Sequence, residues 1–295
     1  MKPLQRAAEN DISAYHRSET VNADQPKTIR VADVVSVMDN IAPPCLAEEW
    51  DNVGLQVGSA QWKVHKIWVA LDPLLDVIED AGRQQVDMVI THHPLIFTSL
   101  KSIDLESNVG KVIDTALRTK TAIFAAHTNL DSAADGLNDE LARRLGLLNL
   151  QPLVETRDCG EQSDTPAAPL PTGLGRIGET ASPQILEHWV EDIKKRLGLN
   201  YVRAAGNVMQ RVQRVAVCTG SGGSLIKDFL GSGADVFVSG DLRYHDARTV
   251  EEAGRAFIDI GHFASEHIVV TALAEKLTSA VQACGWDVQI EACLI

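Results

Sequence analysis

"KIWVALDPLLDVIEDAGRQQVDMVITHH", residues Lys66–His93, reads as strand, helix, strand. "KIWVALD" is a nearly continuous apolar run of strand length. "PLLDVIEDAGRQQ" has helical spacing, and Pro73 suits a first turn because its missing N–H is not needed there. "VDMVITHH" is apolar again until it stops at two histidines and Pro94. Runs apolar on both faces, joined by a helix, imply strands buried on both sides in a parallel or mixed sheet.

The pattern continues in both directions. "NVGKVIDTALRTK" is helical, with Val109, Val112, Ile113, Ala116 and Leu117 on one face. "TAIFAAHTNLD" is a strand, and "DGLNDELARRLGL" is a helix with Leu137, Leu141 and Leu145 four apart. After "GRIGET", a short strand, a helix is expected from about Pro183 to Leu197. The last third repeats the theme. "RVAVCTG", "DVFVSGD" and "AFIDIGH" are strands, each followed by a helical segment, and "DVQIEACLI" closes the chain as a strand. The fold class is therefore α/β, with helices flanking mixed sheets.

"RDCGEQSDTPAAPLPTGLG", residues 157–175, has no periodicity and is rich in Pro, Gly, Ser and Thr. It is expected to link a first lobe, 29–156, to a second, 176–295. The last helix and strand remain free to pack back on the first lobe. Residues 1–28 carry both charges and no apolar core, so they read as a flexible extension rather than a secretory signal. With no apolar stretch long enough to span a bilayer, membrane association is not expected and a cytoplasmic location follows by default. The formal net charge of −13 disfavours a phosphate backbone as partner. The five cysteines are scattered without a CxxC pair, which argues against a disulfide framework or a thiolate zinc site and for small buried side chains.

Polar residues gather where strands end. His92 and His93 end one; His127 and Asp131 end another; Asp241 and His245 follow a third; His262 and Glu266 follow a fourth. Ligands bind beyond the carboxyl ends of strands in open α/β sheets. Imidazoles and carboxylates are also the donors a transition metal takes. His262 and Glu266 share a helix face if a helix starts near His262. Too many donors are present for one tetrahedral ion, but they suit two ions sharing a carboxylate. Each residue alone has a plainer explanation: a surface histidine, an Asx turn, or a glutamate favoured at a helix N-terminus. Their coincidence at one sheet edge raises the metal reading to about even with these.

"EEWDNVGLQVG", "THHPLIF", "AAHTNLD", "GRIGE", "SGDLRYHDA" and "IDIGHFASE", in this order, resemble the Nif-three-like family, whose members are called GTP cyclohydrolase 1 type 2 homologs. The resemblance runs from about Val31 to Ile295. It implies two α/β lobes with a dinuclear metal centre between them and assembly into a homohexameric ring. It also implies the ligands His92, His93, Asp131, His262 and Glu266, with Glu266 as the bridge and each of the paired histidines serving one of two divalent ions (zinc, iron or manganese). Only a few dozen residues separate "GRIGE" from "RVAVCTG", which matches the family's short form without a middle domain.

Several neighbours carry a second reading. His127 fits better as a hydrogen-bond partner that orients a ligand than as a group that positions a substrate or moves a proton. His245, expected on a loop, is an equal candidate for moving a proton. Asp72 and Asp241 either hold a histidine tautomer or cap helices. Trp50 reads as core, with a cleft-lining role second. "CTGSGGSL" is a tight turn that lacks the lysine of a phosphate loop. The function expected is a metal-dependent hydrolase of a nucleotide or related small molecule, with His245 protonating the leaving group. The alternative is a non-enzymatic ring that binds or delivers metal, or acts as a scaffold.

Overall fold

The computed structural model describes residues 28–155 and 171–294. The expected N-terminal extension and most of the 157–175 linker lie outside them, while Gly173–Gly175 already belong to a strand.

The first lobe is built from α1 (Val31–Ile41), β1 (Gly54–Val57), β2 (Lys66–Ala70), α2 (Leu75–Arg83), β3 (Met88–Thr91), α3 (Asn108–Thr119), β4 (Ala122–Ala125), α4 (Thr128–Ser132) and α5 (Leu137–Arg144). The second contains β5 (Leu148–Glu155), β6 (Gly173–Ile185), α6 (Leu186–Leu197), β7 (Arg203–Ala205), β8 (Arg211–Ser221), α7 (Ile226–Ser232), β9 (Val236–Gly240), α8 (Tyr244–Glu252), β10 (Ala256–Asp259) and α9 (His262–Glu266). Then α10 (Ile268–Ala283) and β11 (Gln289–Ala292) return to the first lobe, where β11 pairs in parallel with β2. The sheets run β1-β4-β3-β2-β11 and β5-β6-β8-β9-β10-β7. Both are mixed: β11, β2, β3 and β4 are parallel and β1 antiparallel. In the other, β8, β9 and β10 are parallel while β5, β6 and β7 run against their neighbours.

Alternation along the strands explains the layering. In β2, Ile67 and Val69 face one apolar core while Trp68 and Ala70 face another. In β9, Val236 and Val238 face the first core and Phe237 a third. The shared core, with α1, α5, α6 and α10, fills the space between the sheets; α2 and α3 cover the outside of the first, α7 and α8 the outside of the second. A strand buried on both faces shows no polar alternation, which is why these runs read as continuously apolar.

Some expectations shift. Pro73 lies outside α2, whose N-cap is Leu74. On α3, Val112, Ile113 and Ala116 are buried, but Leu117 is 51% exposed. The "GRIGET" strand extends to thirteen residues. Five elements, α1, β1, α4, β5 and β7, were not anticipated; α4 takes the end of "TAIFAAHTNLD", which was expected to be strand throughout. β5 is an edge strand, where Pro152 can sit without breaking a ladder. Only α6 and β7 intervene between β6 and β8. The cysteines follow the expectation only in part: Cys218 and Cys293 are buried thiols, Cys284 is exposed and Cys45 is disulfide-bonded. Sequence spacing carries no information on which thiols meet in space. No helix among the described residues is long and apolar enough to cross a membrane.

Candidate metal centre

β3 stops at Thr91, but the backbone N–H groups of His92 and His93 continue bonding to Ala70 and Leu71. Both histidines are thus held beyond the sheet edge by a strand extension. β4 stops at Ala125, and the chain turns so that His127 caps α4 and Asp131 lies inside it. His262 and Glu266 are the first and last residues of α9, four apart on one face. The second lobe thereby brings a histidine and a carboxylate against the histidines of the first.

Their contacts are specific. Glu266 Oε2 lies 2.9 Å from His93 Nε2 and 2.9 Å from His262 Nε2. Its other oxygen faces His92 Nε2 at 3.6 Å. Asp131 Oδ1 is 3.9 Å from His92 Nε2 and accepts from Thr219 Oγ1 at 3.1 Å. Two overlapping sets of donor atoms result. His92, His93 and His127 form one; His93, His262 and Glu266 form the other. Asp131 belongs to neither set but approaches His92. His127, expected only to orient a ligand, offers a ring nitrogen alongside those of His92 and His93.

The other nitrogen of each ring is committed. His92 Nδ1 donates to the Ala126 carbonyl at 2.9 Å. His93 Nδ1 pairs with Asp72 at 2.7 Å, His127 Nδ1 with Asp51 at 2.9 Å, and His262 Nδ1 with Asp241 at 2.7 Å. An acceptor on Nδ1 leaves Nε2 as the coordinating atom and fixes the ring's direction, as around bound metals. Of the two readings open for Asp72 and Asp241, holding a tautomer is the one the contacts support. Asp51 has the same role and was not singled out in the sequence; only its place in "EEWDNVG" marked it. Thr128 also bonds to Asp51, through its backbone N–H at 3.0 Å and through its hydroxyl. Although burial works the other way, these bonds hold the Asp51 carboxyl down at about 2.

The residues fit divalent cations on one observation above all. His92 Nε2 is fully buried and lacks any hydrogen-bond partner, yet it faces the carboxylates of Asp131 and Glu266. A buried lone pair is costly to leave unsatisfied, and an ion between it and the carboxylates would satisfy all three. The mixed imidazole and carboxylate set suits zinc, iron or manganese.

A family model described as Duf34/NIF3 (NGG1p interacting factor 3) matches residues 29–294. The chain belongs to this family. It is 32% identical over 249 residues to the GTP cyclohydrolase 1 type 2 homolog of Clostridium perfringens, covering 84% of this chain and 91% of that protein. It is 30% identical over 263 residues to the Clostridium acetobutylicum protein of the same name, covering 89% and 95%. Its fold resembles a Staphylococcus aureus hypothetical protein with a TM-score of 0.82 at 30% identity, covering 91% of this chain and 97% of that one. A Bacillus cereus protein related to NIF3 gives a TM-score of 0.83 at 25% identity, covering 91% and 98%.

In this Duf34/NIF3 chain the backbone also shapes the centre. Gly220 has a φ of +64°, and a Cβ there would stand 2.1 Å from Glu266 Oε1. Gly222 is pressed as closely on Ser239. Gly220 and Gly222 of "CTGSGGSL" therefore serve close approach, the tight-turn reading. Gly220→Ala is expected to displace Glu266 and lower metal content, with the fold retained, because one methyl collides with a carboxylate and adopts a strained φ. Metal analysis showing an unchanged content would mean that Glu266 is free to move aside.

Charge couples the cluster to pH. Burial disfavours the His93 cation, but its bonds to Asp72 and Glu266 outweigh this and raise its pKa to about 10. His262 rises to about 9, first through its bond to Glu266. Burial alone would raise Glu266; the contacts from His262 and His93, with the nearby charge of His92, instead hold it far below the carboxylate range. An imidazolium raised above its ordinary 6.5 stabilises the fold fully below that value and stops doing so as pH climbs through its folded value. Chelator-treated protein is therefore expected to lose melting temperature as pH rises through about 9 and about 10. Metal-loaded protein should not follow it. Parallel curves for the two forms would show that these pairs do not hold the lobes together.

Proposed function

We propose that this chain is a dinuclear metal-dependent hydrolase. His92, His93, Asp131, His262 and Glu266 would hold two divalent ions, Glu266 between them, with His127 as a further donor. The orphaned Nε2 of His92 between two carboxylates carries this reading. Bound divalent ions supply Lewis acidity, which polarises an electrophilic centre and makes water acidic near neutral pH. The chain's own contribution is placement. Asp72, Asp51, Asp241 and the Ala126 carbonyl keep four Nε2 atoms aimed inward.

The names of the relatives point to a nucleotide, GTP among them, as the substrate class to try first. Assembly into a homohexameric ring belongs to the same proposal and predicts a solution mass near six chains. The first experiment is elemental analysis of protein purified without chelator, followed by a screen of nucleotides and phosphoesters for hydrolysis. About two ions per chain with metal-dependent turnover is the expected result. Metal without turnover on any of these would favour metal handling instead. A chain that takes up no zinc, iron or manganese would remove the reading.

His245 stands in the first turn of α8 rather than on a loop; it is exposed, its ring packs against Tyr244, and it belongs to neither donor set. It remains the candidate proton donor to the leaving group. His245→Ala is expected to lower kcat by about 10²-fold or more with metal content unchanged. An unaltered kcat would take His245 out of the reaction.

A further inference from the structure

Trp50, expected in the core, is 57% exposed, and Phe97 is 52% exposed. Two large aromatic side chains left in water require an explanation, and their position supplies one. Their ring centroids are 5.6 Å apart. Both lie against His127, at 6.0 and 6.4 Å, and meet its ring nearly edge-on at 73° and 71°. His127 in turn rests on His92 at 5.2 Å and His93 at 5.7 Å. The aromatic pair therefore stands one imidazole away from the metal centre.

The pair is also held in place. Asn52 Nδ2 donates to the Ile96 carbonyl at 2.6 Å, and the Ile96 N–H donates to Gln56 Oε1 at 2.8 Å. Gln56 Nε2 closes the lattice by donating to the Asn52 carbonyl at 2.5 Å. These bonds tie the segment after Trp50 to the residue before Phe97. Asp51, between Trp50 and Asn52, is locked onto His127 and Thr128. Within "WDNVGLQ" the polar side chains are thus spent on fixing the loops, and Trp50 is the apolar side chain of the stretch that is left exposed.

We propose that Trp50 and Phe97 form an aromatic platform for the planar ring of the substrate, a nitrogen heterocycle of nucleobase type. This rests on the metal-centre reading and assigns the residues that would hold the ring of its substrate. A flat heterocycle stacks on such rings, and its in-plane nitrogen or oxygen atoms reach past His127 toward the metal ligands. A sugar phosphate without a base has no aromatic face to offer the platform.

The test uses the full-length, metal-loaded protein. Guanosine and adenosine are the probes, and ribose 5-phosphate is the base-free control, with binding followed by calorimetry. Trp50→Leu and Phe97→Leu keep apolar bulk and remove the aromatic face. Metal content and solution mass are measured for every sample. The expected result is nucleoside binding to the wild type, none for ribose 5-phosphate, and roughly tenfold or greater weakening in each variant at unchanged metal content and mass. Nucleoside affinity unaltered in both variants overturns the platform, as does a wild type that binds no nucleoside. A change of solution mass accompanying the loss also overturns it, since the pair is then a contact with a second copy. If Trp50→Leu does not fold, Phe97→Leu decides. A wild type that holds no metal but binds guanosine through Trp50 upholds the platform while rejecting the metal centre.

Discussion

Replacing Glu266 by alanine is expected to reduce bound metal from about two ions per chain to below one and to abolish hydrolysis. The reason is position rather than charge alone. Glu266 is 3% exposed, and its carboxylate is the one group that meets His93 and His262 through one oxygen and His92 through the other. Among the described residues no other acid stands there to replace it: Asp131 approaches only His92, while Asp72, Asp51 and Asp241 are engaged on the far side of their imidazoles. His92→Ala should lose metal as well, because its Nε2 has no other partner. Both variants should retain secondary structure, because the strands that carry the site are buried on both faces independently of it. Elemental analysis beside circular dichroism checks this. Two ions per chain in Glu266→Ala would show that the ligand set has been misassigned.

The second large effect is on stability. The Arg176 side chain is 2% exposed, and all five of its N–H groups have acceptors. Nε and Nη2 clasp the Asp139 carboxylate at 2.7 and 2.6 Å. Nη1 donates to the Gly173 and Gly175 carbonyls, and Nη2 donates also to Ala133. The guanidinium thus binds β6 of the second lobe to α5 and to the segment just after Asp131. Arg176→Met keeps the length but strands one carboxylate and three carbonyls. Breaking a buried pair from one side costs about 3–5 kcal/mol. The melting temperature should fall by roughly 10 °C, and metal affinity should weaken because Ala133 no longer anchors the turn holding Asp131. A loss under about 1 kcal/mol would mean that water enters and replaces the guanidinium.

Much of this was legible beforehand because periodicity is local. Lys66–His93 shows strand, helix and strand by spacing alone, and the structure keeps that order with boundaries moved by a few residues. His92, His93, His262 and Glu266 were noticeable because each stands just past a recognisable strand, where an α/β sheet opens its binding edge. α1 carries the same kind of local signal, with Val31, Val34, Val37 and Met38 on its buried face. β7, three residues long, has too little pattern to detect.

Long-range pairing was not legible. Asp51 meets His127 across 76 residues, Glu266 meets His93 across 173, and Trp68 Nε1 reaches Glu291 across 223. Nothing in the neighbourhood of either partner specifies the other. The same holds for the return of β11 to β2 and for Arg176, an ordinary arginine in sequence and a fully bonded clamp in the fold. Trp50 shows the converse: its composition suggested core, but Asp51, Asn52 and Gln56 anchor the surrounding loops and leave the indole outside. The sequence by itself determined the alternation of strands and helices and the offer of imidazoles and carboxylates at strand ends, since both depend on neighbours along the chain. Only the tertiary structure decided which nitrogen of each imidazole faces inward and which aromatic rings stand beside it, since both depend on hydrogen bonds between loops that meet only after the sheets have formed.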